Sequence, residues 1–124
     1  MTALLAVAAG GALGAVGRYV VIARIGHWAG TGFPYGTIAV NIAGSFLLGM
    51  VVALTAGRVI GNDVLIFLGI GVLGGFTTFS TFALDVAYLA GRRAVPAAAV
   101  YVAASVVLSI SAFAAGLYAV HALA

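Results

Sequence analysis

The sequence predicts an all-α membrane protein with four transmembrane helices per subunit, the third of them broken near mid-membrane. Three observations lead there. Of 124 residues, 65% are hydrophobic and 6% charged, with mean hydropathy +1.31, where a soluble domain carries roughly 25% charged residues. The charged side chains (Arg18, Arg24, Arg58, Asp63, Asp85, Arg92 and Arg93) leave uncharged runs at 1–17, 25–57, 64–84 and 94–124. The third run contains a Gly-Gly pair followed by a dense cluster of hydroxyl residues, a composition unfavourable to a continuous helix. A disordered chain needs low hydrophobicity and high charge, so that class is excluded. The absence of cysteine removes a disulfide scaffold, a thiolate metal site and a cysteine nucleophile. A net charge of +3 offers no case for a nucleic-acid partner.

A helix needs about 20 mostly apolar residues to cross the hydrocarbon core. Spans are therefore expected at about 4–22, 33–56, 64–89 and 95–120 of one membrane domain covering 1–124, joined by short connections. The first is expected to be a retained helix and not a signal peptide, because it lacks a basic leader and Arg18 follows the apolar stretch. Runs such as LLAVAAGGALGAV lack the two-residue alternation of a membrane barrel. The spacing Gly10-x-x-x-Gly14, with Gly36, Gly44 and Gly49 in the second span, lets backbones approach closely. These glycines can pack the subunit or join two copies; some are expected at a dimer interface, since four helices enclose little space. Arginines are only weakly biased toward one side, so insertion in both orientations stays open.

In the second span, Asn41, Ser45 and Gly49 share a face at i, i+4 and i+8. Asn41 is either a donor along a functional path or interhelical glue. In the fourth span, Tyr101, Ser105 and Ser109 repeat that spacing. They form a polar track, or the serines bond back to their own i−4 carbonyls. The third span reads LGGFTTFSTF over 73–82, a broken helix whose unwound backbone must be buried in protein or line a cavity. Phe79 and Phe82 share a face after the break; periodicity alone favours lipid or core contact for both.

The segments GGALGAVGRY at 10–19, FPYGTIAVNIAGSF at 33–46 and GGFTTFSTF at 74–82 resemble the small bacterial fluoride channels in order, spacing and four-span layout. The resemblance implies an antiparallel, dual-topology homodimer in the bacterial cytoplasmic (inner) membrane, passively exporting fluoride to relieve its toxicity. It implies that Asn41, Phe79 and Phe82 line the narrow part of the path, with Ser80, Thr81, Tyr101, Ser105 and Ser109 as the polar track. Arg18 would match the vestibule arginine. Gly74 and Thr77 would match the backbone carbonyls that hold a structural Na⁺ at the dimer centre. Asp85 stands where the family usually has Glu; it either acts on the ion path or is a boundary residue.

Two other readings compete. A small multidrug-resistance transporter also has four helices, but its proton-coupling carboxylate lies in the first, and this chain has no acidic residue there. A non-conducting membrane subunit is the second. An enzyme is not expected: the chain has no Cys and no Glu, and His27 and His121 fall near span ends. The Gly10–Gly17 stretch follows no strand, so a dinucleotide site is rejected.

Overall fold

The computed structural model describes residues 1–123. It is all-helical, with four helices long and apolar enough to cross a membrane: α1 (Thr2–Ala29), α2 (Tyr35–Ala56), α3 (Asn62–Gly91) and α4 (Val95–Leu123). α1 runs seven residues past its expected end at 22. Arg24 and His27 end the apolar run but not the helix, since neither opposes helical geometry. The stop is Gly30, at φ 79°, a conformation that favours glycine. At 1.5 Å per residue α1 is about 42 Å long, beyond the ~30 Å hydrocarbon core. Pro34 directly precedes α2, and Pro96 lies in the first turn of α4, the helix positions where a missing N–H costs least.

α2 and the second half of α3 end alike. Arg58 and Arg93 take left-handed backbone, at φ 58° and 57°. Val59 N–H donates to Leu54 O and Arg58 N–H to Thr55 O; Ala94 N–H donates to Leu89 O and Arg93 N–H to Ala90 O. Both are Schellman closures, which satisfy carbonyls left over at a helix end. Arginine occupies the position where glycine is usual, placing a cation at each helix C-terminus, where the dipole favours it.

α3 is irregular. A helical turn at Asn62–Val64 leads into a π-helical stretch over Leu65–Leu73, then a turn at Gly74–Phe76. Thr77 (ψ 158°) and Thr78 (φ −154°, ψ 123°) are extended, and α-helix resumes over Phe79–Gly91. The extended residues thus lie after the Gly-Gly pair, and Gly74 itself is helical at φ −63°, ψ −38°.

Glycine contacts set the packing. A Cβ on Gly10 would stand 2.7 Å from Phe67 O, and one on Gly14 would strike Val72 O, so α1 lies directly on the π-helical stretch of α3. A Cβ on Gly49 would strike Phe113 O, and one on Gly116 would strike Phe46 O. This reciprocal approach makes α2 and α4 a close pair. A Cβ on Gly36 would lie 2.9 Å from Ile22 Cα, and one on Gly44 would meet the Thr77 methyl. The glycines expected at a dimer interface are therefore spent within the chain. Small residues every four positions permit close packing without saying whose helix fills the gap.

Tyr101 and Val40 are fully buried, with Leu89 nearly so. Many other large apolar side chains, among them Leu13, Val107 and Ile110, point outward, as suits a chain whose surroundings are lipid.

Candidate functional site

The interruption in α3 is held from α2. Asn41 Oδ1 accepts from Thr78 N–H at 2.8 Å, and Asn41 Nδ2 donates to Thr78 O at 3.0 Å. One side-chain amide thus grips both polar groups of an extended residue, as a neighbouring strand would. The Thr78 hydroxyl accepts from Thr81 N–H at 3.1 Å, capping the second half of α3, and donates to Thr81 Oγ1 at 3.1 Å. Ser80 Oγ lies 3.1 Å from the same hydroxyl. Thr77 Oγ1 donates to Leu73 O at 2.9 Å.

These bonds have a consequence for the carbonyls. In an α-helix each C=O accepts from the N–H four residues on. The partner of Gly74 O would be Thr78 N–H, which goes to Asn41; the partner of Thr77 O would be Thr81 N–H, which goes to Thr78 Oγ1. Both carbonyls leave the ladder. Oxygen donors freed this way suit a hard cation.

Asn41, Phe79, Phe82, Ser105 and Ser109 line one cavity of about 330 Å³, together with Ser45, Thr77 and Thr78. The Ser105 and Ser109 hydroxyl oxygens are buried and have no hydrogen-bond partner among the described residues, so neither serine bonds back to its i−4 carbonyl. An amide nitrogen carries two donors, and Asn41 spends one on Thr78 O, leaving the other. Phe79 and Phe82 stand 5.3 Å apart at 43°. Phe79 is 79% exposed; one wall of the cavity is open. Among the described residues, no charged side chain lines it.

Tyr101 sits behind this cavity rather than in its lining. Its ring stacks on Phe82 (5.4 Å, 29°) and meets Phe33 edge-on (5.7 Å, 89°). Its hydroxyl donates to Asp85 Oδ2 at 2.8 Å. Asp85 and Thr81 open on a second recess of about 510 Å³ with Thr37 and His27, and Arg18 shares a third, of about 390 Å³, with Thr81 and Tyr19. Ser80 is exposed and lines none of the three. The polar residues therefore divide into two groups, Asn41–Ser105–Ser109 on one side of the Phe82–Tyr101 stack and Arg18–Thr81–Asp85 on the other.

Thr78 organises the site and was not among the residues expected from sequence. Its signal was local: a threonine three residues before Thr81 at a helix restart is an N-cap pattern. Ser45 and Thr37 were equally unassigned, although Ser45 lies one turn from Asn41.

Comparison with known proteins places this architecture. The family described as CrcB-like protein, Camphor Resistance (CrcB), matches residues 5–117. A protein of Rhodospirillum centenum named fluoride-specific ion channel FluC is 52% identical over 118 residues, 94% of each chain. Its namesake in Nitrobacter winogradskyi is 49% identical over 121 residues, 97% of this chain and 96% of its own. Fluoride-specific ion channel FluC 1 of Nitrobacter hamburgensis is 50% identical over 123 residues, 98% of each. With family and relatives both matched across almost the whole sequence, the chain belongs to the CrcB-like family of multi-pass membrane proteins.

Proposed function

We propose that this chain is a fluoride-selective channel that passively exports the anion across the bacterial cytoplasmic membrane, working as an antiparallel homodimer. The observation that carries the reading is the 330 Å³ cavity, where the spare Asn41 N–H, two unpartnered serine hydroxyls and two Phe rings converge without a charged side chain. Fluoride is small and strongly hydrated, so a selective path must replace its water with compact donors. It must also release the ion afterwards. Amide and hydroxyl donors do the first. Ring edges, positive through the quadrupole, add attraction without a full cation to trap the ion. The second half of α3 starts at this cavity, and a helix N-terminus favours negative charge.

Arg18, in its recess with Thr81, raises the local anion concentration at the mouth. From there fluoride passes Thr81 and Ser80 to the Asn41 side, with Tyr101 as the backing of Phe82. No catalytic step and no proton-coupling carboxylate in α1 are required, which separates this reading from a multidrug transporter.

The open wall at Phe79 supports a second copy as its missing side, and the arginine bias is weak enough to permit insertion in both orientations. Gly74 supports it too. That glycine is exposed, and a Cβ there would meet only Gly69 O, at 3.7 Å. Nothing in its own subunit demands glycine. The freed carbonyls of Gly74 and Thr77 would hold a structural Na⁺ with their counterparts across the dimer. Such an ion would supply positive charge to the carbonyl oxygens that hold it.

The reading is tested in bacteria stripped of other fluoride exporters. Hydrogen fluoride enters uncharged and dissociates inside, so expression of this chain should raise the fluoride concentration that stops growth, most of all in acid medium. Equal tolerance with and without the chain contradicts the proposal.

A further inference from the structure

We infer that Asn41 and the Thr78 hydroxyl are positioning residues for the cation, each keeping one of its carbonyl ligands free. The inference rests on the sodium reading above and goes beyond it, because it assigns the site's assembly to two side chains that do not themselves touch the ion.

The pairing is one to one. Thr78 N–H, which an unbroken helix would give to Gly74 O, is 2.8 Å from Asn41 Oδ1; Thr81 N–H, owed to Thr77 O, is 3.1 Å from Thr78 Oγ1. Neither diversion can drift. Asn41 also donates back to Thr78 O at 3.0 Å, which fixes the amide plane, and the Thr78 hydroxyl is oriented by its own bond to Thr81 Oγ1. The Thr77 side chain stays clear, since its hydroxyl is spent on Leu73 O. Gly44, three residues after Asn41, provides the room, because a Cβ there would push into the Thr77 methyl. Remove either diverting oxygen, and the released amide is free to return to the carbonyl that an unbroken helix would give it. The ladder then competes with the cation for the same oxygen. Asn41 thereby serves two sites, offering its spare N–H to the anion cavity while its Oδ1 holds the carbonyl cluster open.

The experiment measures thermal unfolding of the purified full-length protein in detergent as sodium chloride replaces choline chloride at constant ionic strength. Wild type should gain stability with sodium, with a defined midpoint. Thr78→Val, which keeps the shape and loses the hydroxyl, and Asn41→Leu should each raise that midpoint by about tenfold or more, the range seen when a residue supporting a metal ligand is removed. Thr78→Ser, which keeps the oxygen, should retain the wild-type midpoint. A parallel loss of stability at every sodium concentration, with the midpoint unmoved, would show that these residues only pack the fold and would overturn the inference while leaving the sodium site standing. A shifted midpoint in Thr78→Ser would also overturn it. A wild-type protein indifferent to sodium would remove the cation site, and the inference with it.

Discussion

At Phe79 and Phe82 two roles predict different chemistry for one substitution. Leucine keeps an apolar side chain of broadly similar size, so a residue that only packs tolerates it at a modest cost. A residue whose ring edge faces an anion does not, because leucine has no positive edge. Each of Phe79→Leu and Phe82→Leu is expected to cut fluoride efflux from proteoliposomes about tenfold or more, at least ~1.4 kcal/mol on the barrier. Phe46→Leu and Phe113→Leu, away from the cavity, serve as controls and should conduct normally; equal losses in the controls would assign all four rings to packing. Phe79 is the more telling site, being 79% exposed and thus with little packing to lose inside its own subunit. At this scale the residue types were legible from sequence, but their partners were not. Asn41 and Thr78 are 37 positions apart, and Tyr101 and Asp85 are 16 apart on different helices. No local propensity encodes a bond between them. The sequence placed Tyr101 in one track with Ser105 and Ser109 because all three share a helix face; the hydroxyl instead turns to Asp85 on α3.

At the scale of the helices, glycine decides which pairs touch. Gly49 and Gly116 bring α2 and α4 together backbone to backbone, so Gly49→Ala would drive a methyl into Phe113 O, where no side chain can swing aside. Overpacking of this kind costs about 1–3 kcal/mol, which should appear as a clear drop in melting temperature. Gly91→Ala is the matched control: a Cβ there meets nothing within 4 Å, and its melting temperature should hold. If both behave alike, the α2–α4 approach is looser than described. The starts of α2 and α4, at Tyr35 and Val95, fall within two residues of the expected 33 and 95, because both helices begin close to where the uncharged apolar segments do. The end of α1 was not legible, because a charge closes an apolar run without stopping a helix. An interruption in α3 was legible in the run LGGFTTFSTF at 73–82, where glycine and threonine are both poor helix formers. Which residues of that run extend was not legible: they are Thr77 and Thr78, and the acceptor that takes the Thr78 N–H lies on α2, 37 positions away.

For the whole molecule, the glycine pattern signalled close packing without saying which contacts were internal, and the structure assigns Gly10, Gly14, Gly36, Gly44 and Gly49 to the inside of one chain. Gly74 remains, exposed and unconstrained by its own subunit. Gly74→Val should therefore fold yet fail to pair, running as a monomer in size-exclusion chromatography with light scattering while keeping its helical circular dichroism; a normal dimer would place the interface elsewhere. The central claim is that this chain alone forms a complete path for fluoride. The most direct measurement is fluoride release from potassium fluoride-loaded liposomes that contain only this protein, followed with a fluoride electrode after valinomycin opens a path for potassium, with no proton gradient imposed. The account predicts rapid release of fluoride, and none of chloride from matched potassium chloride-loaded vesicles. Fluoride retained at the level of protein-free liposomes, or chloride leaving as fast as fluoride, would contradict it.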